Sequence, residues 1–333
     1  MRIFSSVLFT LLLSLAAQPA AAVVFKIATL SPDGSTWMKL LRSAGDEIAE
    51  RTEGRVTFKF YPGGVMGDDQ AVLRKIRAGQ LNGAVLTAGG LTQTYGDIQL
   101  YNLPMAFDSL DEVDYVRERM DASLFEGLRQ KGYVGFGFAE VGFAYAMSKN
   151  QVRTLDEIRA QKVWVPEGDP GSELAVSAFG VSPIPLSIAD VLGGLQTGLI
   201  NGVAVPPIAA IALQWHTQLD YALDVPLLYV YGLLVVQNRR FDKLDAADQK
   251  IMFDVMSAAV GEVNARSRVD HERAVEVLAA QGIEWSSPAQ GQVGEWRRIS
   301  ELAEQRLIDE GVLTQEKVDT LRKLVAEYRA GLD

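Results

Sequence analysis

From residue 24 onward, runs in which every second position is apolar alternate with runs in which apolar residues recur every third or fourth position. Val24 to Leu30 has strand character. Ser35 is placed to cap a helix whose apolar positions are Trp37, Leu40, Leu41, Ala44 and Ile48. Arg55 to Tyr61 alternates, with Val56, Phe58 and Phe60 on one face, and Pro62-Gly63-Gly64 ends it. Asp68 caps a helix through Ile76 that stops at Gly79, and Asn82 to Thr87 is the next strand. This alternation predicts an α/β fold with a mainly parallel sheet.

Further along, Leu110 to Lys131 predicts two short helices, and Tyr133 to Met147 is strand-rich. Thr154-Leu155-Asp156-Glu157 is a capping box at the start of a short helix. Lys162 to Pro166 predicts a strand, and Ser172 to Gly180 and Asp190 to Gly198 predict helices. Pro226 to Val236, with Tyr229 and Tyr231, predicts a central strand. Asp245 to Ala280 contains no proline and one glycine, Gly261. As one helix, about 36 residues would span about 54 Å, enough to cross two lobes. The alternative is a pair of helices broken near Gly261, since a mid-helix glycine costs about 1 kcal/mol. Ile283 to Trp285 is a short strand, and two amphipathic helices follow.

Length favours two lobes, because single cores stop growing at about 250–300 residues. At the start, Arg2, the apolar stretch Val7 to Ala17 and Ala20-Ala21-Ala22 predict an export signal (residues 1–22) cleaved after Ala22 and a periplasmic destination. There are no cysteines, so disulfides and thiolate metal sites are excluded. A net charge of −10 excludes a nucleic-acid partner, which requires clustered Lys and Arg.

The sequence offers little catalytic chemistry. The two histidines, His216 and His271, lack a surrounding carboxylate cluster of metal spacing. His271 reads as a solvated helix residue and His216 as structural. There is no G-x-S-x-G elbow. Gly63-Gly64-Val65-Met66-Gly67 lacks the G-K-[ST] ending of a phosphate loop. Asp68-Asp69 reads as a helix cap. Glu140, Glu167, Asp169 and Glu173 are candidate carboxylates without a nucleophile or a metal. No cofactor, metal or enzymatic activity is therefore expected. Trp37, Phe143, Tyr145, Trp164 and Trp215 fall near strand ends or helix starts, where open α/β sheets bind ligands.

Several segments, in order and spacing, resemble the periplasmic receptors of TRAP transporters of the dicarboxylate-receptor type. They are Thr52-Glu53-Gly54-Arg55-Val56, Tyr61-Pro62-Gly63-Gly64-Val65-Met66-Gly67-Asp68 and Arg77-Ala78-Gly79-Gln80-Leu81. Leu103-Pro104 with Phe107, Leu155-Asp156-Glu157-Ile158, Lys162-Val163-Trp164-Val165-Pro166 and Leu195-Gln196-Thr197-Gly198-Leu199-Ile200-Asn201-Gly202 complete the match.

The resemblance implies a two-lobed, type II periplasmic binding fold with a long helix crossing both lobes. It implies a small-molecule ligand and delivery to a small and a large integral membrane subunit. We expect residues 23–147 with about 237–262 in the first lobe, and 148–236 with about 263–333 in the second. Family members usually hold a substrate carboxylate with an arginine where this chain has Trp164. A second arginine aligns near Ala144 and an asparagine near Val205. The expected ligand is therefore an organic acid or a less polar, aromatic molecule. The expected contacts are Trp37, Thr87, Gly89, Glu140, Phe143, Tyr145, Trp164, Pro166, Ile188, Val205 and Trp215. Backbone N–H groups at Thr87 to Gly90, or Arg74 or Arg77, are candidates to meet an acid group. The remaining readings are Trp164 turned into its lobe's core, a periplasmic two-lobed enzyme acting on a small acid, and a receptor for an ATP-driven importer or a sensor.

Overall fold

The computed structural model describes residues 22–331. The expected export signal lies outside them except for its last residue. The first lobe opens with β1 (Val23–Thr29), α1 (Thr36–Arg51), β2 (Val56–Tyr61), α2 (Asp69–Arg77) and β3 (Gly83–Thr87). The three strands are parallel in the order β2-β1-β3. Caps set the helix starts. Ser35 Oγ accepts from Met38 N at 3.3 Å, and Asp68 Oδ1 accepts from Ala71 N at 2.7 Å. Residues Leu110–Gln130 form one helix, α3, where two were expected. Val113, Val116, Met120, Leu124 and Leu128 make one unbroken buried stripe along it, so nothing favours a break.

The chain then runs through β4 (Tyr133–Ser148), α4 (Leu155–Arg159), β5 (Trp164–Pro166), α5 (Pro170–Ala178) and β6 (Ile184–Leu186). Next come α6 (Val191–Thr197), β7 (Gly202–Val205), α7 (Pro207–Ala212), β8 (Tyr221–Leu223) and β9 (Leu228–Gln237). The last elements are α8 (Asn238–Phe241), α9 (Ala246–Ala280), β10 (Glu284–Ser286), α10 (Gln292–Asp309) and α11 (Gln315–Ala330).

The sheet is mixed, and the expectation of a mainly parallel one is corrected. Its order is β10-β8-β4-β9-β3-β1-β2, with β7 also on β4. β9 returns from the second lobe and so runs antiparallel to both β3 and β4. The 16-residue β4 is shared by the lobes. From Tyr133 to Ala144 it pairs with β9, and from Tyr145 to Ser148 with β7 and β8. Register shifts near Gly135–Phe138 and Glu140–Gly142 bend it.

The 35-residue α9 is continuous through Gly261, so the broken-helix alternative does not hold. Its first half shares a core with α1 through Met252, Met256 and Val260, and Leu278 joins the second-lobe core with Trp215 and Val203. The helix thus ties the lobes together. Near its middle His271 is half-buried, not solvated as expected. Its ring lies 6.0 Å from that of Tyr145 and packs on Gly142. Gly142 has φ 113°, and a side chain there would meet His271 Nδ1 at 2.8 Å, so two constraints select glycine. At the C-terminal end, α10 lies against α5 in the second lobe. α11 lies instead on α3 and shares the first-lobe core through Val318, Leu321 and Val325, unlike the expected assignment.

Candidate functional site

A cavity of about 640 Å³ lies between the lobes. The first lobe lines it from the loop after β1 and the start of α1, with Ser31, Ser35, Thr36 and Trp37, and from the end of β3, with Thr87 and Gly89. The second lobe contributes Trp164 and Pro166 of β5, Ile188, Val205 at the end of β7, and Trp215. Both walls are strand ends and helix starts, where parallel strands leave a crevice. Trp164 is 8% exposed. Its Nε1 donates to Leu186 O at 3.0 Å, and its ring meets Trp215 edge-on at 5.0 Å. The indole is therefore fixed by its own lobe with part of its ring at the cavity wall.

Eight of the eleven residues named from sequence line this cavity: Trp37, Thr87, Gly89, Trp164, Pro166, Ile188, Val205 and Trp215. Glu140, Phe143 and Tyr145 do not. Phe143 is buried in the first-lobe core, 5.9 Å from the Tyr229 ring. Tyr145 packs edge-on to Trp285 at 5.1 Å. Glu140 is 1% exposed and fully engaged, accepting from Tyr229 Oη at 2.9 Å and from Arg268 Nη2 at 2.9 Å. Arg268 also pairs with Asp114 at 2.6 Å. Glu140 is thus part of a joint between β4, β9, α9 and α3, not a ligand contact.

The two arginines expected as acid anchors are also corrected. Arg74 and Arg77 are exposed on α2 and are absent from the cavity lining. Thr87 N donates to Asp69 Oδ2 at 3.0 Å, and Gly90 N donates to Thr87 Oγ1 at 3.0 Å, so two of the four amides from Thr87 to Gly90 are already engaged. Ala144, where the resemblance places a second arginine, is buried and faces Leu228 in the β4–β9 ladder.

Among the described residues, the lining contains no Lys, Arg, His or Glu. Its charged side chains are Asp169 and Asp270. Asp169 is buried and serves as the cap of α5, its Oδ1 accepting from Ser172 N at 3.2 Å. The same oxygen accepts from Gln99 Nε2 of the first lobe at 2.6 Å, which bridges the lobes. Nearby, burial pushes the Asp69 carboxyl up to about 6, against the pull of its hydrogen bonds from Thr87. Sequence reasoning missed Gln99, Asn102, Ser172 and Asp270 as lining residues. The only available signals were the Leu103-Pro104 segment beside Asn102 and the turn that carries Asp169.

Asn102 Oδ1, Gln161 Oε1 and Trp296 Nε1 belong to lining residues and have no partner among the described residues. His216 is structural, its Nδ1 lying 3.1 Å from Ala210 O. No group of three or more His, Cys, Asp or Glu placed to hold a metal occurs among the described residues.

The profile of the DctP family, bacterial extracellular solute-binding protein family 7, matches residues 27–308. The sialic acid-binding periplasmic protein SiaP of Vibrio cholerae is 21% identical over 285 residues, covering 84% of this chain and 87% of that protein. The C4-dicarboxylate-binding periplasmic protein DctP of Rhodobacter capsulatus is 24% identical over 245 residues, covering 71% and 72%. The sugar acid-binding protein DctPAm of Advenella mimigardefordensis, solved with galactonate, superposes with a TM-score of 0.84 at 16% identity, over 92% of this chain and 99% of that one. These matches extend over both lobes and the helix that joins them. The chain belongs to solute-binding family 7, the periplasmic receptors of TRAP transporters.

Proposed function

We propose that this protein is a periplasmic receptor that captures an organic molecule with a large apolar, aromatic part and delivers it to the small and large integral subunits of a TRAP transporter. The observation that carries this reading is the cavity wall. It holds no Lys or Arg among the described residues, and Trp164 stands where the family's carboxylate-binding arginine is expected. A compact polar acid in that space would lose water without gaining the bidentate partner that offsets its desolvation. An aromatic ring against Trp164, enclosed by Trp37 and Val205, gains burial plus about 0.5–1.5 kcal/mol from ring geometry.

Relatives in this family are receptors for sialic acid, C4-dicarboxylates and galactonate. This chain shares their architecture, and a cavity lining without Lys or Arg among the described residues supports a different ligand chemistry. Bending about the shared strands β4 and β9 would close the lobes over the guest, a population shift driven by contacts made only in the closed state.

The test is native mass spectrometry of the purified protein, followed by a thermal-shift screen that sets aromatic and aliphatic acids against sugar acids. We expect aromatic compounds to raise Tm and to be recovered unchanged. Trp164→Ala should lower affinity for them by tenfold or more. Preference for sugar acids, or wild-type binding by Trp164→Ala, would refute the aromatic reading. Turnover of the bound compound would favour an enzyme.

A further inference from the structure

The helix α5 is apolar along most of its length, with Pro170, Leu174, Ala175, Val176 and Ala178, yet Gly171 is its one buried residue. An apolar helix of this kind normally has a face packed against a core. Here α10 covers one side, while Ala175, Val176 and the following Phe179 line the cavity. Across from them stand Val163 and Val165 of the β5 segment and Ile158 of α4, also lining it. Every one of these residues belongs to the second lobe. The interlobe cavity therefore continues past Trp164 into the interior of that lobe.

We infer that this extension is an apolar subsite for an elongated alkyl or aryl-alkyl tail of the ligand. This rests on the receptor reading above and adds a ligand class to it: an amphiphile whose polar end lies between the lobes and whose tail enters the second lobe beneath α5. Three features support the assignment. The walls are apolar, so water there is poorly held and readily displaced. No charged side chain stands among the residues that form the extension. Val176 and Phe179 are each partly exposed, so a tail laid against them would add apolar contact on this side of the helix.

The experiment is calorimetry and thermal shift with straight-chain carboxylates from butanoate to decanoate and the matching alkanols. Affinity is expected to rise about fourfold per added methylene until the subsite is full. Val176→Trp should shrink the long-to-short affinity ratio by tenfold or more. Val176→Ala should move the optimum to a longer chain. Circular dichroism and Tm establish that each variant folds. A flat series in the wild type, or a ratio unmoved by both substitutions, overturns the subsite. If aromatic compounds still bind in that case, the receptor reading stands alone. If no probe binds and no ligand accompanies the purified protein, both readings fall.

Discussion

At the scale of single residues, the carboxylates separate by partner. Glu140 lies within β4 and Asp69 opens α2; Glu140 is met by a guanidinium, and Asp69 by the amide and hydroxyl of Thr87. Removing Arg268 would leave Glu140 buried and unpaired. Arg268→Ala is expected to cost about 3 kcal/mol in denaturant unfolding. Glu140→Gln should cost less, because Tyr229 Oη still has an acceptor. Asp69 carries a pH signature. Its carboxyl is raised from 3.8 to about 6 by burial, so the folded protein holds this proton more tightly than the unfolded chain. The contribution is stabilising below about pH 4 and is lost as pH rises through about 6. Two units correspond to about 3 kcal/mol at most, reduced by the water that still reaches this partly exposed group. Asp69→Asn should flatten the fall in stability between pH 4 and 6, measured by urea midpoints across that range. The sequence made Glu140 look like a site residue because a lone acidic residue in an apolar strand has no local explanation. Its explanation, Arg268, lies 128 positions away.

At the scale of elements, legibility follows distance along the chain. Ser35, Asp68 and Thr154 were readable as caps because each donor they serve lies three residues on. The three parallel strands of the first lobe were readable because they alternate with helices. The antiparallel return was not. β9 lies between β3 and β4 only because the chain leaves for the second lobe and comes back, and no local pattern records that path. The wall residues Trp164 and Trp215 were accessible from the rule that ligands gather at strand ends. Phe143 and Tyr145 satisfied the same rule, but bends in β4 aim them into packing. Gly261 tests the long helix directly. It is exposed, and a methyl group there would meet nothing within 4 Å. Gly261→Ala should stabilise the protein by about 1 kcal/mol through helix propensity alone. A loss of stability would mean that the helix depends on a break at that point.

At the scale of the whole molecule, the question is what holds the lobes at their separation. β4, β9 and α9 connect them at the back, and one hydrogen bond across the cavity runs from Gln99 Nε2 to Asp169 Oδ1. Both side chains are buried, so the bond is shielded from competing water. Glycines make the approach possible. A methyl group on Gly89 would meet Asp169 Oδ2 at 2.2 Å, and one on Gly171 would meet Gln99 Oε1 at 2.1 Å. The approach of the lobes at this point therefore uses two backbone positions without side chains and one amide–carboxylate bond. Asp169 also caps α5, which borders the proposed tail subsite, so contact between the lobes and the shape of that subsite share one residue. Gln99→Ala removes the bridge while leaving the cap intact. It should shift the unliganded protein toward an open state, seen as a larger radius of gyration by small-angle X-ray scattering. Ligand affinity should fall by about threefold to tenfold, about 0.7–1.4 kcal/mol, the net worth of one hydrogen bond. Adding saturating ligand should return the radius to the wild-type value, because ligand contacts still favour closure. A variant that bound normally and scattered like the wild type would show that the back of the molecule alone sets the spacing.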